Sequence, residues 1–383
     1  MILTKEQKQD FIERGFSRRH FGRIAAIVSA GMASIPLSTE MAYAQLSKVK
    51  GMPADAVKIN ANENPLGPST EAMEAIHNVV KMGGRYTYEL TDEFQETLAK
   101  QSGVPADHVL PFAGSSLPLH TAAFAFASPT KPWVTGEPGY ESGANAAKFI
   151  GAKVIRVPLT KTYAHDVKAM VAADPNAGVL YICNPNNPTG TLTPNDDLTW
   201  VADNLPKGAV LVLDEAYTHI SGAPMRTDLV AAGKDVVILR TFSKIYGMAG
   251  LRAGAAIGRP DLLKKINSWS SGALPITGMA GATASLKASD LVPARRKIIG
   301  DVRNDVFAFM DKNGYKYIPS VSNKFMVDVG RPSGEFTAAL QKEKVYIANR
   351  WPVWPTHVRV SIGTQEEMDK FKVAFKKVMS SNA

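Results

Sequence analysis

The chain has 383 residues, 45% hydrophobic and 21% charged, with a formal net charge of +9. No apolar run reaches the roughly 18 residues of a membrane span, and the basic excess is not gathered into lysine/arginine runs interleaved with aromatics, which argues against a nucleic-acid surface. Cys183 is the only cysteine, which excludes an intramolecular disulfide and a cysteine-rich metal centre; the histidines lack metal-ligand spacing, so no metal is expected.

The first 44 residues read as a leader. Arg18 and Arg19 are paired after Ser17, an apolar stretch runs from Ile24 to Pro36, and Ala42-Tyr43-Ala44 places small residues where a signal peptidase reads. This order is similar to a bacterial twin-arginine signal, which carries folded proteins and suits one that loads its cofactor before export. It implies the export machinery as a partner, no stable membrane anchor, and a periplasmic or secreted product, cytoplasmic if the signal is unused. An amphipathic helix with an incidental arginine pair is the alternative.

Next comes the turn-rich "NANENPLGPS", then a helix over about Glu71 to Lys81 capped by Ser69 or Thr70. "DEFQETLAKQSG" predicts a second helix stopped by Gly103, and "HVLPFAG" a strand leading into "GSS" and an apolar helix. Strand-like runs then alternate with helical ones: "WVTGEP", "KVIRVPL", "GVLYICNP", "AVLVLDEA" and "DVVILRTFS". Alternation of this kind implies βαβ units and a mostly parallel sheet. Its ligands bind beyond the carboxyl ends of the strands, where "GSS", "NPNNPTG", "DEAY" and "TFSK" fall. Past Gly278 a long helical region to Asn313 is followed by short strands in "KFMVDVG", "VYIANR" and "HVRVSIG" and a terminal helix, as in a smaller α/β lobe.

Taken in order, "NENPLGPS", "RYTYE", "GSS", "PGYESG", "NPNNPTG", "DEAY", "TFSKIYGMAGLRAG" and "VRVSIGT" resemble the class I/II pyridoxal-phosphate aminotransferases of fold type I, histidinol-phosphate aminotransferase branch. The resemblance runs from about Asn60 to Thr364. It implies an α/β fold: a large domain with a mostly parallel, seven-stranded-type sheet flanked by helices, and a smaller C-terminal α/β domain. The expected division is 1–44 signal, 45–75 N-terminal arm, 76–277 cofactor-binding domain and 278–383 small domain.

The resemblance also assigns roles. Lys244 is expected to be the Schiff-base lysine and, once released, the base that moves the substrate α-proton. Asp214 is expected to keep the cofactor's pyridine nitrogen protonated, making the ring an electron sink; capping a following helix is its other reading. Tyr217 and Asn187 would reach the ring oxygen, although Asn-Pro pairs also serve turns. Ser115 and Ser116 at a helix start, with Thr241, Ser243 and Arg252, would hold the phosphate. Tyr140 would stack on the ring, or serve as a core aromatic. Tyr86 would reach the phosphate of a neighbouring subunit, implying a homodimer with a shared site. Arg359 would hold a substrate carboxylate, or stand as a strand-edge arginine. Asn62 and Glu63 belong to the segment that folds over the substrate.

The chain departs from the branch at Leu66, where an aromatic is usual, and at "LPL" from Leu117, where an acidic residue is usual. Trp351 and Trp354 in "RWPVWP" fit a pocket that accepts an apolar or aromatic group. The implied function is transamination between an amino acid, or related amine, and a 2-oxo acid. Decarboxylation, carbon–sulfur lysis and oxygen-dependent oxidation use the same constellation and remain open at this point.

Overall fold

The computed structural model describes residues 5–17, 52–270, 272–349 and 351–381. Arg18, Arg19 and the Ala42-Tyr43-Ala44 site fall outside them.

A seven-stranded sheet forms the centre, in the order β2-β8-β7-β6-β5-β3-β4. Its strands are β2 (Val109–Phe112), β3 (Trp133–Glu137), β4 (Val154–Pro158), β5 (Val179–Cys183), β6 (Val210–Asp214), β7 (Val236–Thr241) and β8 (Gly254–Gly258). β5, β6 and β7 are buried at every position, as expected of strands covered by helices on both faces. Six strands run the same way, and β8 alone runs against its neighbours β2 and β7. The sequence reading did not anticipate β8, because "GAAIG" lacks the branched residues that mark a strand. Small residues are required there: a Cβ on Gly254 would collide with the Arg240 carbonyl and the Gly114 backbone.

Several helix ends lie where the sequence placed them. The Ser69 hydroxyl accepts from Ala72 N at 3.2 Å and starts the helix Thr70–Val80. The helix Glu89–Ser102 ends at Gly103 with φ +66°, the left-handed stop glycine permits. The long helical region expected to reach Asn313 is instead two helices, Ile276–Lys287 and Leu291–Lys312, broken at 288–290.

A second, antiparallel sheet has the order β12-β10-β9, with β9 at Tyr317–Ile318, β10 at Lys324–Asp328 and β12 at His357–Ser361. β1 (Val57–Lys58) pairs in parallel with β11 (Val345–Tyr346), so the segment before "NANENP" is tied to the C-terminal part of the chain.

Residues 5–17, which the sequence assigned to a leader, carry a helix at Lys5–Glu13 and pack onto the rest of the chain. Phe11 and Phe16 are buried, Phe11 meets Trp269 edge-on at 5.8 Å, and the Arg14 guanidinium donates to the Phe124 and Ala127 carbonyls at 2.7 and 2.9 Å. Those carbonyls lie in the last turn and at the C-cap of the helix Ser116–Phe126, where a cation complements the helix dipole.

Candidate active site

The register of the large sheet brings the motifs to one edge. Phe112, Gly254 and Thr241 lie abreast on β2, β8 and β7, as do Cys183 and Asp214 on β5 and β6. Every motif that follows a parallel strand therefore opens at the same carboxyl edge.

On the β2–β7 side the donors form a cup. Ser116 begins the helix Ser116–Phe126, and Ser115 at its N-cap makes no side-chain cap bond. Thr241 Oγ1 donates to Ser243 Oγ at 3.0 Å, and Arg252 Nη1 lies 3.4 Å from the same Ser243 Oγ. Arg252 is held by the Ala249 and Ala113 carbonyls at 2.9 and 3.2 Å, from a left-handed backbone of φ +57°. Gly114 has φ +90°, and a Cβ there would run into the Arg252 guanidinium. A helix start, two hydroxyls and a fixed guanidinium are the donor set a phosphate dianion needs.

Asp214 ends β6 and is buried. Its two oxygens accept from Tyr181 OH at 2.9 Å and Ala216 N at 3.1 Å. Burial and the adjacent Asp214 charge push the Tyr181 phenol well above its usual range, so it stays a donor to the carboxylate. Neighbouring Glu215 is spent on the fold, bonded to Arg240 Nε at 2.8 Å and Arg226 N at 2.7 Å. Lys244 is buried three residues past β7, its Nζ 5.8 Å from the Tyr217 ring centroid. The Tyr217 hydroxyl accepts from Asn62 Nδ2 at 3.1 Å, and burial pushes its pKa up, so the phenol is neutral.

Arg359 comes from β12. Its Nη1 donates to Asn187 Oδ1 at 2.9 Å and its Nη2 to the Asn60 carbonyl at 2.6 Å; the guanidinium lies 5.2 Å from the Trp351 ring centroid. Arg359 thus stands on the edge strand β12 with its guanidinium turned inward onto Asn187 and Asn60. Asn62 has φ +54° and is pinned three ways: its N donates to Ser361 Oγ, its Oδ1 accepts from Ser361 Oγ, and its carbonyl accepts from Asn323. Trp354 stands edge-on to Tyr163, 5.8 Å away, while Trp351 faces the Arg359 guanidinium.

Two of the expected residues stand apart. Glu63 is exposed and lines a small cavity of about 130 Å³ with Leu66, Ile298, Asn323 and Gln365. Tyr86 is 70% exposed and stacks on Tyr88 at 5.9 Å. Tyr140 is partly buried in the loop between β3 and the helix Ser142–Phe149. The sequence reading missed Lys324, Tyr181, Asn323 and Ser361. Lys324 was concealed because a lysine opening a strand normally points to solvent; here β10 is buried on both faces through its first four residues.

The description "Aminotransferase class I and II" matches residues 54–375. The chain belongs to that family. A histidinol-phosphate aminotransferase of Moorella thermoacetica is 32% identical over 85% of this chain and 86% of its own length. An aromatic amino acid aminotransferase of Cutibacterium acnes is 33% identical over 82% of this chain and 90% of its own. The structure of histidinol-phosphate aminotransferase from Sinorhizobium meliloti in complex with pyridoxal-5'-phosphate is similar at a TM-score of 0.78 and 25% identity, covering 85% of this chain and 91% of that one. The transaminase therefore has the fold-type I scaffold and uses pyridoxal phosphate. The residues present suit that group: the cup matches its phosphate, the buried carboxylate its pyridine nitrogen, and the buried amine its aldehyde.

Proposed function

We propose that this transaminase moves an amino group between an amino acid, or a closely related amine, and a 2-oxo acid, with Lys244, Asp214 and Tyr217 as its catalytic residues. The cofactor supplies an electron sink for the carbanion formed at the substrate α-carbon. Lys244 holds the cofactor and moves the proton at that carbon. Asp214, oriented by Tyr181 and Ala216, pairs with the ring nitrogen. Tyr217 and Asn187 would contact the ring oxygen, and Tyr140 would cover the ring face. Ser115, Ser116, Thr241, Ser243 and Arg252 hold the phosphate. Arg359 binds the substrate carboxylate, aligned by Asn187 and Asn60 and backed by Trp351. Asn62 closes over the site, with Glu63 a weaker member of the same segment.

One observation carries the reading: a buried lysine and a buried carboxylate flank Tyr217, with a pinned arginine beside Asn187 on the substrate side. Two features of the chain argue against histidinol phosphate as its substrate. Leu66 and the apolar turn after Ser116 replace groups usual in that branch, and Trp351 adds an aromatic surface at the carboxylate site. A homodimer completes the active site. Supporting it, Tyr86, Tyr88, Met82, Val80 and Met73 are all exposed along one stretch of chain, in keeping with Tyr86 reaching a partner's phosphate group. The division into a 1–44 signal, an arm at 45–75, a cofactor domain at 76–277 and a small domain at 278–383, with twin-arginine export to the periplasm, rests on the sequence pattern.

The test mixes the purified holoenzyme with a panel of amino acids and 2-oxo acids, following visible absorbance, keto-acid release and peroxide. Acceptor-dependent keto-acid release is expected, together with a yellow band that borohydride bleaches and Lys244→Ala abolishes. Unchanged turnover and colour in Lys244→Ala would falsify the assignment.

A further inference from the structure

Two lysines, not one, are buried at Tyr217. Lys324 is fully buried, at 0% exposure, and its Nζ lies 3.1 Å from the Tyr217 ring centroid, nearer than Lys244 at 5.8 Å. Its amine donates a hydrogen bond to Ser322 Oγ at 2.9 Å. The strand register explains how it gets there. Lys324 sits opposite Ser361, and Met326 opposite Arg359, so Lys324, Arg359 and Ser361 share one face of the β10–β12 pair. That face meets Asn62, Asn187 and Tyr217.

Burying an ammonium without a carboxylate bonded to it is costly, and a lysine would be a poor choice were packing its only task. We propose that Lys324 is a positioning residue for Tyr217: its amine rests on the phenol ring, fixes the ring's tilt, and places an extra cation beside the hydroxyl that contacts the cofactor's ring oxygen. The proposal rests on the cofactor assignment above.

Every charged or titratable neighbour bears on the sign. Burial is the largest influence and, with Arg359 and Lys244, pushes the Lys324 amine well below the usual lysine range; Cys183 and Asp214 pull the other way. The proton is therefore loosely held, and an anionic oxygen at the Tyr217 hydroxyl draws it on. A cation on that side opposes protonation of the Lys244–cofactor linkage. Removing it makes the linkage hold its proton to higher pH.

The experiment is a pH titration of the holoenzyme's visible band, with pyridoxal phosphate affinity measured in parallel, for the wild type, Lys324→Met, Lys324→Arg and Ser322→Ala. Lys324→Met is expected to raise the midpoint by about one pH unit, a tenfold change in proton affinity, and to weaken cofactor binding. Lys324→Arg returns the midpoint towards the wild type. Ser322→Ala, which removes the amine's acceptor, moves it the same way as Lys324→Met but less, and supplies the answer if Lys324→Met does not fold. A folded Lys324→Met with an unmoved or lowered midpoint overturns the proposal, as does an unmoved Ser322→Ala when Lys324→Met is insoluble. A wild type with no titrating band would instead sink the cofactor assignment itself.

Discussion

The cup around Arg252 and the wall around Arg359 both offer a guanidinium to an anion, half-buried in the cup and buried in the wall, yet the chain builds them differently. In the cup, the bonded pairs among Thr241, Ser243, Ala249 and Arg252 span two to nine residues, and one distant contact, to Ala113, closes the group. In the wall the partners meet from across the chain: Asn62 with Tyr217 over 155 residues, Arg359 with Asn187 over 172 and with Asn60 over 299. The cup joins the turn after β7 to the Ala113–Ser116 loop after β2, so it needs the β2–β8–β7 pairing of one sheet but not the second sheet. The wall exists only when both sheets and the N-terminal segment are docked. Cofactor affinity should therefore be robust to perturbation, and substrate affinity fragile.

The largest effect expected lies where the two halves meet. Lys244→Ala should lower amino transfer by about 10²–10⁴-fold, measured as keto-acid release at saturating substrate, with the fold retained by circular dichroism. Breaking the wall should spare the cup. Arg359→Lys, which loses the planar fork, should raise the KM for the amino acid about tenfold to a hundredfold with little change in cofactor affinity. If cofactor affinity falls in parallel, the two regions are not separable and the comparison fails.

Asn62 offers a finer probe, since it carries a left-handed backbone and several hydrogen bonds together. Asn62→Ala loses the side-chain bonds to Tyr217 and Ser361 and asparagine's tolerance of that backbone, and should cost about 1–3 kcal/mol in thermal or urea denaturation. Asn62→Gly relieves the backbone strain and should recover part of that. Equal losses in both variants would place the whole effect in the hydrogen bonds.

Two histidines, His165 buried and His219 half-buried, lie outside both regions and set a pH dependence of stability. Burial lowers His165 to about 4, against weaker support from the Cys183 carbonyl and Asn186; burial, Arg240 and Arg296 lower His219 to about 3. Their unfolded value is 6.5, so above it both states are neutral and nothing is gained or lost. Below it the unfolded chain binds protons that the folded one refuses, and stability falls until the folded values are reached. Melting temperature should drop from pH 6.5 towards 4, and His165→Gln should flatten the slope.

The smallest effect on catalysis is expected at the N-terminal segment. Deleting 1–17 uncovers Phe124 and Trp269 and should lower the melting temperature by roughly 5 °C, leaving kcat and KM unchanged. A change in KM would connect that segment to the wall.

What could be read in the sequence follows the same divide. Strand periodicity, the Ser69 and Gly103 stops, and the short motifs at strand ends are local, so composition and spacing expose them without knowledge of the fold. The places of Lys244, Asp214, Ser115 and Ser116 at the strand exits were legible for that reason. β8 was not, since its glycines and alanines answer to the crowding of Arg240 and Gly114 rather than to strand propensity. Lys324 was invisible for a related reason: its place over Tyr217 depends on the pairing of β10 with β12 and on both faces of β10 being covered. Sequence alone determined which chemical groups the strands deliver to one edge, because a strand's exit is written in its own residues. Only the tertiary structure decided which of those groups are buried together and paired. Burial and charge pairing are properties of contacts made across hundreds of residues, and no local pattern encodes them.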